Sequence, residues 1–164
     1  MSNEFDALIS RLTPDAFTAV ASFAHRHADV LGHDQVGACD VLLGVLSINP
    51  GSGDINPVAR GMKDRFGLSN PLYTLRTIAA NKPFLAEPDA HGRYAPSVEK
   101  ALISAGRQAT IEKNRDGFIT RFNLGFGIAD AADPIVVSVL KDAGIDLESF
   151  KEFMRENSYA GVLV

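Results

Sequence analysis

The sequence predicts an all-α fold, a tandem repeat of two four-helix units with pseudo-two-fold symmetry. Three observations predict it. Apolar residues recur at helical spacing through nearly the whole chain. A capping residue followed by proline recurs at Thr13-Pro14, Asn56-Pro57, Asn70-Pro71 and Asp133-Pro134, and each pair reads as a helix start. The order of elements also repeats. Leu12-Thr13-Pro14 opens one long helix, and Tyr94-Ala95-Pro96 opens another 82 positions later.

The elements follow in order. From Pro14 to Leu31, Phe17, Val20, Ala21, Ala24 and Ala28 make one apolar stripe, which Gly32 ends. Thr13 supplies a hydroxyl to cap the free amides of that helix. Asp40 to Ser47 reads as a short helix, apolar on nearly all sides and therefore buried. Asn49 to Asp54 is a loop. Helices open at Pro57 and Pro71, the first closing at Gly67. Residues 76–93 carry Pro83, Pro88 and Gly92 among polar residues and read as a linker. Val98, Ala101, Leu102, Ala105 and Ala109 mark the second long helix. Ile119 to Gly127 is the counterpart of Val36 to Gly44. Ile135 to Ala143 is a helix stopped by Gly144, Asp146 caps a last helix through Met154, and the tail from Asn157 is expected to fray. Residues 1–164 thus form a single domain: repeat one spans about 12–75, the linker 76–93 and repeat two 94–156.

Composition narrows the function. A chain of 164 residues buries roughly 70% of its unfolded surface and needs no metal or disulfide to fold. There are 16 Lys and Arg against 20 Asp and Glu, a net charge of −4 with no basic block, which argues against binding a phosphate backbone. The single cysteine, Cys39, excludes an internal disulfide framework and fits a reducing compartment. The start lacks a basic segment followed by an apolar run, and no stretch is long enough to span a bilayer. The expectation is a cytoplasmic protein with no nucleic-acid or membrane partner.

Residues 31–46, LGHDQVGACDVLLGVL, resemble the motif L-G-H-x-x-[IV]-G-T-E-H-[IL]-L-L-G-L-L of the amino-terminal domain of Clp ATPases, the ClpA, ClpB and ClpC unfoldases. The likeness runs from about Leu12 to Met154. The second repeat keeps the spacing at Ile119–Gly127 and little else. The resemblance implies a non-catalytic docking domain that receives adaptors and substrates for an ATP-driven ring. The phosphate-cradling pattern G-x-x-x-x-G-K-[ST] does not occur, so the chain reads as a stand-alone form or an excised domain, the former favoured by the initiator methionine and the divergent second repeat. Such a form would modulate delivery to the ring or sequester its ligands.

The resemblance also implies a partner-binding groove between the two long opening helices. Its first wall is Thr18, Ala21, Ser22 and His25, and its second is Tyr94, Glu99, Ile103 and Gly106. Ala21, Ser22 and Gly106 are small and leave room for an apolar anchor. Tyr94 reads equally as the groove's central contact or as packing for the linker. Some relatives recognise phosphorylated arginine through the motif glutamate. The matching positions here are Cys39 and Phe122, neither of them a carboxylate, so that binding is expected to be lost.

Other constellations weigh less. His25, His27, Asp29 and His33 lie close in sequence, but His27 points about 160° away from Asp29 on a helix, so no metal site and no cofactor is expected. Gly51-Ser52-Gly53 reads as a turn. Lys113, Arg115 and Arg121 with Phe118 and Phe122 form one basic and aromatic cluster, which reads as protein contact or core. Two alternatives stay open: a small thiol enzyme using Cys39 with His33 or His25, and a purely structural helical oligomer.

Overall fold

The computed structural model describes residues 3–47 and 56–162, with side chains for 4–47 and 56–158. Nine helices and one 3-10 turn make up the described residues, and no β-strand occurs among them. α1 spans Asn3–Ser10. α2 is continuous but changes pitch: it is α-helical over Pro14–Thr18, π-helical over Ala19–Phe23 and α-helical over Ala24–Leu31. α3 is Ala38–Val45, α4 Pro57–Phe66 and α5 Pro71–Ala80. α6 is Pro96–Ile111, followed by the 3-10 turn Arg115–Gly117. α7 is Arg121–Asp130, α8 Pro134–Asp142 and α9 Leu147–Val162. The loop predicted at Asn49–Asp54 and the turn at Gly51-Ser52-Gly53 lie outside the described residues.

The core centres on α3 and α7. Every residue of α3 is buried, as its unbroken apolar run predicts, and α7 is buried from Asn123 to Ala129. α6 and α7 pack closely because Gly127 lacks a side chain. A Cβ there would stand 2.2 Å from the Ala101 carbonyl oxygen and 2.7 Å from the Ala105 nitrogen. α2 and α3 use the same device, since a Cβ on Gly44 would stand 2.4 Å from the Ala19 carbonyl oxygen. Two parallel bridges join segments distant in sequence. Leu12, before α2, pairs with Ile119, before α7. Val36, before α3, pairs with Tyr94, before α6.

Several expectations need correction. The buried stripe of α2 is Ala16, Val20, Ala24 and Ala28, flanked by Ala19, Phe23 and His27; Phe17 is 46% exposed and Ala21 is exposed. A four-residue spacing drifts about 40° per turn around a 3.6-residue helix. The wider π turn takes up part of that drift where α3 crosses. Thr13 does not cap α2: its side chain accepts no helix amide, and its hydroxyl donates to Asp15 Oδ1 at 2.6 Å. Residues 76–80, read as linker, complete α5. The tail does not fray at Asn157: α9 continues to Val162, held by buried Ser158, which donates to Glu112 Oε2 at 2.6 Å. α1 has no counterpart among the predicted elements.

The other caps form as read. Asn56 accepts from the amides of Val58 and Ala59, Asn70 from Tyr73, and Asp133 from Ile135 and Val136. Gly67 and Gly144 take φ of +71° and +77°, the left-handed conformation that closes the preceding helix.

Candidate functional site: the surface between the two opening helices

α2 carries the first predicted wall. Ala21 is exposed, and Thr18, Ser22 and His25 are half-buried. The Thr18 hydroxyl donates back to the Pro14 carbonyl at 3.0 Å, so it is turned along its own helix. α6 and the residue pair before it carry the second wall. Tyr94, Glu99 and Ile103 are half-buried, and Gly106 is buried.

His25 and Tyr94 join the walls. Tyr94 donates its one hydroxyl proton to the Val20 carbonyl at 3.1 Å. The His25 Nε2, 2.9 Å from that hydroxyl, is then the donor to it. Arg93 Nη1 lies 3.5 Å from the other ring nitrogen, Nδ1. Burial, followed by the Arg93 charge, lowers the His25 pKa against the pull of Asp29 and Asp40. Arg93 itself pairs with Asp29 and donates to the His33 and Asp34 carbonyls, pinning the linker to the end of α2. Burial raises the Tyr94 pKa, so it remains a neutral phenol.

Tyr94 is therefore engaged on both faces. Its hydroxyl reaches α2, while its ring packs against Phe5 of α1, with centroids 5.4 Å apart. Gly106 is also covered. A Cβ at that position would stand 2.8 Å from Leu8 Cδ2 and 3.0 Å from an Arg11 guanidinium nitrogen. Sequence reasoning missed α1. The signal was present as Phe5, Leu8, Ile9 and Leu12, spaced i, i+3, i+4 and i+7.

The remaining histidines have separate partners. Buried His27 shares a 2.8 Å hydrogen bond between Nε2 and Ser47 Oγ. Burial, and then the Arg76 charge, pushes its pKa down to about 4. His33 stacks on Phe84 and its Nδ1 lies 3.1 Å from Asp40 Oδ1. Asp40 also accepts the Gly37 amide at 2.9 Å at the start of α3. Burial raises the Asp40 pKa, and the Gly37 amide and His33 oppose the shift. No group of three or more His, Cys, Asp or Glu is placed to hold a metal among the described residues.

Cys39 is buried, and burial together with the Asp40 and Asp133 carboxylates pushes its thiol pKa far up. An attacking thiol needs the opposite environment. It lines an apolar cavity of about 250 Å³ under the linker, with Phe84, Ala95, Ser97 and Ile135. The basic and aromatic cluster disperses. Phe122 packs on Phe153, Arg121 faces Asp15 at 3.3 Å, and Arg115 faces Asp116. An open cleft on the opposite side of α2 carries Arg26, Arg60, Lys63 and Arg76.

The architecture is the all-helical fold of the Clp N-terminal domain. Among solved structures, the N-terminal domain of the caseinolytic protease associated chaperone ClpD from Arabidopsis thaliana matches 91% of this chain and 95% of its own, with a TM-score of 0.66. The sequence identity is 16%, so the likeness is one of fold. No family model matches the sequence, and no curated protein matches it. No single helix among the described residues is long and apolar enough to cross a membrane.

Proposed function

We propose that this chain is a non-catalytic protein- and peptide-binding domain of a cytoplasmic Clp protease system. The observation that carries the reading is the match of fold over 91% of the chain. In this reading the residues act as two repeats around a shared groove, a division supported by the reciprocal bridges Leu12–Ile119 and Val36–Tyr94. The chain modulates the delivery of substrates or adaptors to the ring, or sequesters the ligands of a full-length ATPase. Thr18, Ala21, Ser22 and His25 face partners from α2, and Glu99 and Ile103 from α6, while Tyr94 and Gly106 lie behind α1.

The thiol-enzyme alternative has no support from the environment of Cys39. Phosphoarginine binding is absent in this reading, because Cys39 is buried and Phe122 is packed on Phe153. A micromolar or tighter affinity for phosphoarginine would overturn that part.

Calorimetric titration with short hydrophobic peptides tests the groove. Ala21→Asp is the informative variant, since Ala21 is exposed and its replacement leaves the core intact. A charge placed on the wall should weaken peptide binding at least tenfold. Unchanged binding would move the site elsewhere.

A further inference from the structure

The second wall of this surface is already occupied. The segment from α1 to Arg11 lies along α6 and the residues just before it, and presents three residues to them. Phe5 stacks on His91, centroids 4.4 Å apart, and packs against Tyr94. Leu8 fills the space beside Gly106. Arg11, one residue past the end of α1, donates from Nε to the Gly117 carbonyl at 2.9 Å. Its Nη2 donates to the Gly106 carbonyl at 3.1 Å and to Thr110 Oγ1 at 3.3 Å. Phe5 and Leu8 are buried, whereas Glu4, Asp6, Ala7 and Ser10 are exposed.

Two features set α1 apart from the frame. Tyr94 opens α6 as Leu12 opens α2, yet residues 81–93 before it contain no helix. α1 is also eight residues long, too short to hold helix by itself. Phe5 and Leu8, half-buried Ile9, the Asp6–His91 pair at 3.6 Å and Arg11 hold it against the entropy of ordering it. Such a segment belongs to the part of a protein that opens first.

We infer that the Tyr94–Gly106 face of α6 is a recognition site for a short amphipathic helix, and that α1 is its resident occupant. The recognised pattern is an aromatic residue, a leucine three positions on and an arginine three beyond that. The aromatic ring is taken by Tyr94 and His91, the leucine by the bare backbone at Gly106, and the guanidinium by the Gly106 and Gly117 carbonyls. This deepens the groove reading and rests on it for its consequence: an external helix of this pattern enters by displacing α1.

The test uses the full chain and a fluorescent peptide of residues 3–13, NEFDALISRLT, read by anisotropy. The parent should bind it weakly. The Phe5→Ala, Leu8→Ala double variant, with its own α1 loosened, should bind the unaltered peptide at least tenfold more tightly. A peptide carrying the same two alanines should not bind. Gly106→Val should abolish binding in the double variant, because its side chain takes the place of the leucine. Arg11→Ala loosens α1 without touching its apolar face, and it replaces the double variant if melting shows that one unfolded. Equal affinity of parent and loosened chain for the peptide would overturn the inference, as would no binding by either. Titration with unrelated hydrophobic peptides separates the two readings. If they bind parent and loosened chain alike, the groove reading stands and the role of α1 falls. If only the α1 peptide binds, the site stands and the broader peptide-binding reading falls.

Discussion

His27 is 8% exposed, and its pKa of about 4 means that the fold accepts only its neutral form. The folded pKa lies below the ordinary value of 6.5, so the stability this group contributes is complete above pH 6.5. It is lost as pH falls from there toward 4. Asp40, whose pKa burial raises, is common to the parent and to His27→Gln and cancels in their comparison, which is read from pH 7 to 5. Across that range the parent should lose about 2 kcal/mol more than His27→Gln in denaturant unfolding. Parallel pH profiles would contradict this. Single residues were the least legible scale in the sequence. Gly106 reads as an open position because glycine leaves space, and nothing local to it says that Leu8, almost 100 residues earlier, fills that space. His27 and Ser47 likewise meet only after α2 and α3 have packed.

At the scale of the element, most starts and stops were readable because proline and glycine act locally. Caps were less so, since a hydroxyl can choose another partner. Asn56 accepts two helix amides and also donates to the Val45 and Ser47 carbonyls while buried. Thr13 bonds only its neighbour Asp15 through its side chain. Asn56→Ala should therefore cost about 2–3 kcal/mol, and Thr13→Ala under about 0.5 kcal/mol, by equilibrium unfolding. Equal costs would show that the Asn56 bonds carry no special weight. The close helix crossings make a sharper case. A methyl at Gly44 or Gly127 meets backbone, which cannot rotate away. Gly44→Ala and Gly127→Ala should each destabilise by about 3 kcal/mol or more. Gly61→Ala meets only the ring of Phe153 and should cost less. The π turn in α2 stayed hidden in the sequence, because it answers to the crossing of α3 rather than to its own residues.

The whole molecule was legible further than its site. Periodicity and the Leu-Gly-His motif led to an all-helical Clp N-type fold, and the match over 91% of the chain at 16% identity bears that out. One fold can be shared at so low an identity because a helical core asks only for apolar residues at the right period, with glycine where backbones meet. A binding surface has no such redundancy, and at the positions matched to the motif Cys39 is buried and Phe122 packs on Phe153. The chain's own N-terminal helix was signalled by the spacing of Phe5, Leu8, Ile9 and Leu12, but no repeat partner marked where it would lie. The most direct test of the account is hydrogen exchange on the full chain, with and without a saturating hydrophobic peptide. The account predicts added protection at 18–25 of α2 and 94–106 of α6, with faster exchange in α1 as it is displaced. Protection confined to the basic cleft of Arg26, Arg60, Lys63 and Arg76, or none at all, would contradict it.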